Sequence, residues 1–153
     1  MTSTISRPTT RPQSLVATRA LVVGAAVVAA ALAWVVIVPL LGTDVTVPKS
    51  PSSSERIDLA IGPVIIMAAL SSLAGWALLT ILDRFTAKAR VIWTAVAVVV
   101  LVATMPWDAD FTTGERLALG ALHLAVAIPL ILGFWRTAAD PAGPDHSPGR
   151  PAS

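Results

Sequence analysis

The sequence predicts an all-α, four-span transmembrane helix bundle with disordered N- and C-terminal tails. Three observations predict it. Hydrophobic residues make up 55% of the 153 residues and charged residues only 13%, against roughly a quarter charged in soluble chains. Four long stretches, Ala20–Thr43, Leu59–Leu82, Val91–Trp107 and Leu117–Trp135, contain no Asp, Glu, Lys or Arg. Each is apolar all round instead of along one stripe, as helices surrounded by lipid are.

A bilayer-spanning helix needs about 20 mostly apolar residues, within a range of about 17–25. All four runs qualify, the third being the shortest. The first follows Arg7, Arg11 and Arg19 as a secretory leader would, but it is longer than a leader's apolar region. It also ends at Pro39-Leu40-Leu41 without a small-residue cleavage site, so it reads as a retained helix. The expected spans are about 20–42, 59–82, 91–107 and 117–135. They form a membrane domain over 19–136 between tails at 1–18 and 137–153, both rich in Pro, Ser or Thr.

Orientation follows the basic residues near the helix ends. Arg7, Arg11, Arg19, Arg84, Lys88, Arg90, Arg136 and Arg150 fall on one side, and Lys49, Arg56 and Arg116 on the other. Eight against three places both termini in the cytoplasm, in a multi-pass protein of the plasma membrane of a bacterial cell. Trp93 and Trp135 are expected at the inner interface and Trp107 at the outer one, with Trp34 and Trp76 packing deeper.

The first connection, "GTDVTVPKSPSSSERID", reads as a loop. Ser52 with Glu55 would cap the second helix, and Thr112 with Glu115 the fourth. Small residues at helix-contact spacing mark packing faces: Ala25, Ala29 and Ala33 in the first run, Ser71 and Gly75 in the second, Ala121 and Ala125 in the fourth.

Composition excludes several chemistries. Without cysteine there is no disulfide, thiolate nucleophile or iron–sulfur cluster. No metal-spaced cluster or Gly-rich phosphate loop appears, so neither metal nor cofactor is expected. No basic run interleaved with aromatics suggests nucleic acid. A proton-coupled exporter would carry a carboxylate in its spans, and none is present.

One ionisable residue lies within a run. His123, in "LALGALHLAVAIPLIL", sits six residues past Leu117, about 9 Å along the helix. An intramembrane histidine is a functional candidate whose partner must be named. Thr104 lies at a nearby depth, and Asp108 or Asp110 reaches it if the third connection folds inward. A pair with Asp110 would relay protons. The plainer reading, and the one taken, is a neutral ring bonded to a hydroxyl or a backbone carbonyl. Ser71 and Ser72 have a similar plain reading, bonding back to carbonyls of their own helix.

"GTDVTV", "SSLAGWALLTILDR" and "DADFTTGERLALGALHLAVAIPLI" together resemble an uncharacterised family of small bacterial four-helix membrane proteins, a domain of unknown function. The resemblance covers Ala17 to Trp135. Its recurring pattern, an acidic residue before the last helix and a histidine then a proline within it, is matched by Asp110, His123 and Pro129. It implies the fold and no activity.

The leading functional expectation is a helix-packing accessory or partner-binding subunit. It would meet the lipid bilayer and bind other membrane proteins or copies of itself. A small oligomeric transporter or channel is the alternative, and a membrane enzyme or a quinone or pigment binder stands behind both.

Overall fold

The computed structural model describes residues 12–50, 53–107 and 111–138. The outer parts of both expected tails, and with them Ser52, Asp108, Asp110 and His146, lie outside the described residues. The elements run α1 (Pro12–Val35), a π-helical turn (Val36–Leu40), β1 (Thr46–Pro48), β2 (Arg56–Asp58), α2 (Ile61–Phe85), α3 (Ala89–Ala103) and α4 (Thr113–Thr137).

α1 begins at Pro12, inside the stretch expected as tail. Proline is at home there, because the first N–H of a helix has no partner to lose. At the other end Pro39 lacks the N–H that an α-helical turn needs. The backbone widens into one π turn, in which Leu41 N donates to Val36 O at 3.0 Å. Gly42, at φ 62°, then reverses the chain, a conformation glycine adopts without strain.

α1, α2 and α4 are each long and apolar enough to cross a membrane. α3 is not: it has 15 residues, about 22 Å at 1.5 Å per residue, against the expected run of 91–107. It stops at Thr104 because Pro106 disfavours helical backbone in the residue before it. Only 17% of each long span's apolar window is buried within the protein. Leu21, Leu40, Phe85 and Leu117 are all more than two-thirds exposed. Apolar surface on this scale is tolerated when lipid covers it and is a liability in water.

The helices run up, down, up, down, α1 packing chiefly on α4 and α2. At the α1–α4 contact the backbones come close. A Cβ at Gly133 would stand 2.5 and 2.6 Å from the two methyls of Val22. The fully buried small positions of α1 are Ala26 and Ala30. Ala25 is exposed, and Ala29 and Ala33 are half-buried. Gly75 touches Phe134 and Trp93 at 3.6 and 3.8 Å. Ser71 and Ala121 are exposed and Ala125 half-buried.

One core gathers Ala26, Leu79, Trp93, Leu130 and Phe134. Trp93 is therefore a core residue and not an interface anchor. It is 3% exposed, meets Phe134 edge-to-face at 5.3 Å and donates its indole N–H to Gly75 O at 3.0 Å. Trp107 and Trp135 remain exposed.

The connection expected as a loop contains a two-stranded antiparallel hairpin pairing Thr46 with Asp58, Val47 with Ile57 and Pro48 with Arg56. Glu55 does not cap α2. It pairs with Lys49 across the exposed end of the hairpin at 2.9 Å, while α2 starts after Ala60 with no side-chain cap. The Thr112–Glu115 capping box is present at α4.

Candidate binding cleft and its two polar ends

Glu115 ties the hairpin to the bundle. Glu115 is 6% exposed. Its Oε1 accepts from Thr46 Oγ1 at 2.6 Å, Thr46 N at 3.2 Å and Arg56 Nη2 at 2.8 Å. Its Oε2 accepts from Thr112 N at 2.9 Å and Thr112 Oγ1 at 3.0 Å. One residue thus closes a capping box and holds β1 and β2. Arg56 also lies 5.0 Å from the centre of the Phe111 ring, within cation–π range. Nearby, the Trp34 indole N–H donates to Leu59 O at 2.8 Å.

The opposite end has its own knot. Arg19, 8% exposed, donates to Asp83 Oδ2 at 2.5 Å and to Thr137 O at 2.9 Å. α1, α2 and α4 therefore meet on one guanidinium. Arg90 of α3 donates to Ala138 O at 3.2 Å and stacks over Trp135 at 4.9 Å. Stripping water from a charge costs several kcal/mol, and the Asp83 and Thr137 contacts offset part of that for Arg19, whose buried Nε has no hydrogen-bond partner among the described residues.

Between these ends, α2, α3 and α4 stand apart and leave a cleft of about 690 Å³. Its walls are apolar from Pro63 and Leu119 near the hairpin to Leu78 and Ile131 near the other end. Three side chains, Ser71, Thr104 and His123, bring most of its polarity. Thr104 and His123 therefore share one cavity, yet neither bonds the other. Thr104 Oγ1 donates to Val100 O at 2.8 Å, and Ser71 Oγ donates to Met67 O at 2.5 Å.

His123 Nδ1 lies 2.8 Å from Leu119 O. A carbonyl oxygen only accepts, so that contact places the proton on Nδ1. In the neutral form of the ring the lone pair then lies on Nε2. Among the described residues no group donates to Nε2. Asp110, the other expected partner, lies outside the described residues.

Trp93, whose ring closes one wall, and the knots at Arg19 and Glu115 were not read from the sequence as site features. The one signal pointing to any of them was the Thr112–Glu115 spacing.

The model of a family of unknown function, DUF6069, matches residues 10–140. The chain belongs to this family. The match takes in all four helices and the hairpin, so the DUF6069 unit includes the cleft and both polar knots. It encloses the stretch from Ala17 to Trp135 that carried the resemblance. Neither a curated protein nor a solved structure matches the chain.

Proposed function

We propose that this DUF6069 protein is an integral membrane protein of the plasma membrane whose α2–α3–α4 cleft takes up a slender apolar guest from the bilayer. The observation that carries the reading is the cleft itself, at about 690 Å³, within the roughly 300–1,000 Å³ typical of small-molecule sites. Its α4 wall runs from Leu119 to Ile131, about 18 Å at 1.5 Å per residue. The length and apolar lining of this space suit a hydrocarbon chain or a small ring system.

An apolar lining with a few polar side chains, as small-molecule sites have, favours guest binding over a helix-packing accessory role. Such a role would be served by the exposed faces outside the cleft, and a transporter or channel by several copies. With both termini cytoplasmic, the hairpin and the end of the cleft near His123 face outward.

The test is extraction from native membranes into polymer-bounded discs, with mass spectrometry of copurifying apolar molecules. A molecule retained by the wild-type protein and lost from Ala74→Phe, which fills the cleft from α2, supports the reading. Equal retention by both would overturn it. A stoichiometric protein partner, unaffected by Ala74→Phe and without a small-molecule guest, would restore the accessory-subunit reading.

A further inference from the structure

Resting on the guest-binding reading, we infer that the guest is an elongated apolar molecule ending in a hydroxyl group. Its O–H donates to Nε2 of His123.

The inference comes from where the protons of the cleft already point. Ser71 and Thr104 spend their single O–H protons on carbonyls of their own helices, Met67 O and Val100 O. Each hydroxyl then presents only lone pairs to the cavity. His123 spends its N–H on Leu119 O and presents the Nε2 lone pair. The Trp93 indole N–H, the other donor in the wall, is taken by Gly75 O. The cleft therefore offers acceptors and keeps its donors occupied.

A ketone, ester or ether brings only acceptors and meets lone pair against lone pair. An alcohol or phenol brings the one proton the site lacks. Position adds shape to this chemistry. His123 and Thr104 stand toward the hairpin end, while the wall continues down to Leu78 and Ile131 with no further polar side chain beyond Ser71 and the spoken-for indole of Trp93. The hydroxyl therefore belongs at one end of the guest, and the apolar body fills the rest.

The experiment uses a hexadecanol carrying a mid-chain diazirine and its methyl ether, which has the same chain and no donor. Each is incorporated into nanodiscs of dioleoyl phosphatidylcholine holding the full-length protein, and photolabelled peptides are mapped by mass spectrometry. The alcohol is expected to label cleft-facing peptides of α2, α3 and α4 about five- to tenfold more than the ether, the ratio that one net hydrogen bond supports. His123→Leu should bring the ratio near one. His123→Gln, whose amide oxygen still accepts, should keep most of it, which separates loss of the acceptor from loss of the fold. Equal labelling of the cleft by both probes in the wild-type protein would overturn the hydroxyl assignment and leave guest binding standing. Absence of cleft labelling by either probe would overturn both.

Discussion

Gly133→Ala adds one methyl group where α1 and α4 touch. Its carbon would lie 2.5 Å from Val22 Cγ2, 2.6 Å from Cγ1 and 3.1 Å from Cβ. Apolar carbons rest about 3.5–4.0 Å apart, so two methyls overlap the new atom by about 1 Å. Val22 cannot rotate clear, because a valine within a helix holds one χ1 rotamer about 90% of the time. The helices must part instead, at an overpacking cost of about 1–3 kcal/mol. Alanine's helix preference over glycine, about 1 kcal/mol, works the other way.

A double-mutant cycle with Val22→Ala removes that ambiguity, since the helix-preference gain appears in both backgrounds and cancels. With the two methyls gone, Gly133→Ala should change from destabilising or neutral to stabilising, with a coupling of about 2 kcal/mol. The assay is reversible unfolding in mixed micelles followed by tryptophan fluorescence, Trp93 reporting from the core beside Phe134. A coupling under about 0.5 kcal/mol, or a clear stabilisation by Gly133→Ala alone, would refute the close approach of α1 and α4.

Glu115→Ala removes the acceptor for Thr46 and Arg56. It should speed amide exchange at Thr46 at least tenfold while α1 and α4 amides near Ala26 and Leu130 stay protected, as hydrogen-exchange mass spectrometry would show. Asp83→Asn leaves Arg19 without its charged partner. Breaking a mostly buried pair should cost about 2–4 kcal/mol, read as a lowered melting temperature in detergent, and a change under about 0.5 kcal/mol would count against the knot. Single cysteines at Ser53 and Thr113 should react with an impermeant thiol reagent on intact cells, and those at Thr86 and Ser147 should not. The reverse pattern would invert the topology.

The helices could be read from the chain because freedom from charge over 17 or more residues is a one-dimensional property. Their azimuths could not. A helix apolar on every side carries no record of which face meets its neighbours, so Ala25, Ala29 and Ala33 and the buried pair Ala26 and Ala30 are equivalent until the helices are placed. The same blindness hid Trp93, whose position near a run's end suggested an interface while its facing put it against Phe134. Thr112 and Glu115 were legible because a capping box has a fixed spacing. The hairpin strands, three residues each, are too short to display alternation. Of the cleft, His123 and Thr104 were named from depth alone. That they share a cavity depends on the gap between α3 and its neighbours, which no local pattern encodes.

The knot at Arg19 also sets an order of assembly. Arg19 lies near the start of α1, and one of its acceptors, the carbonyl of Thr137, is 118 residues further along. Asp83 of α2 can meet the guanidinium as soon as the second helix is made, whereas the Thr137 carbonyl and the Gly133 contact with Val22 wait for α4. Completion of the bundle is therefore a ring closure in which α4 docks on an α1–α2 pair already joined through Arg19 and Asp83. A chain stopped after Trp107 should insert and then be degraded. Coexpression of 108–153 as a separate piece should rescue it, because the closing contact needs proximity and not a covalent link. Indifference of the truncated chain's lifetime to that piece would show that closure is not what protects the assembled protein.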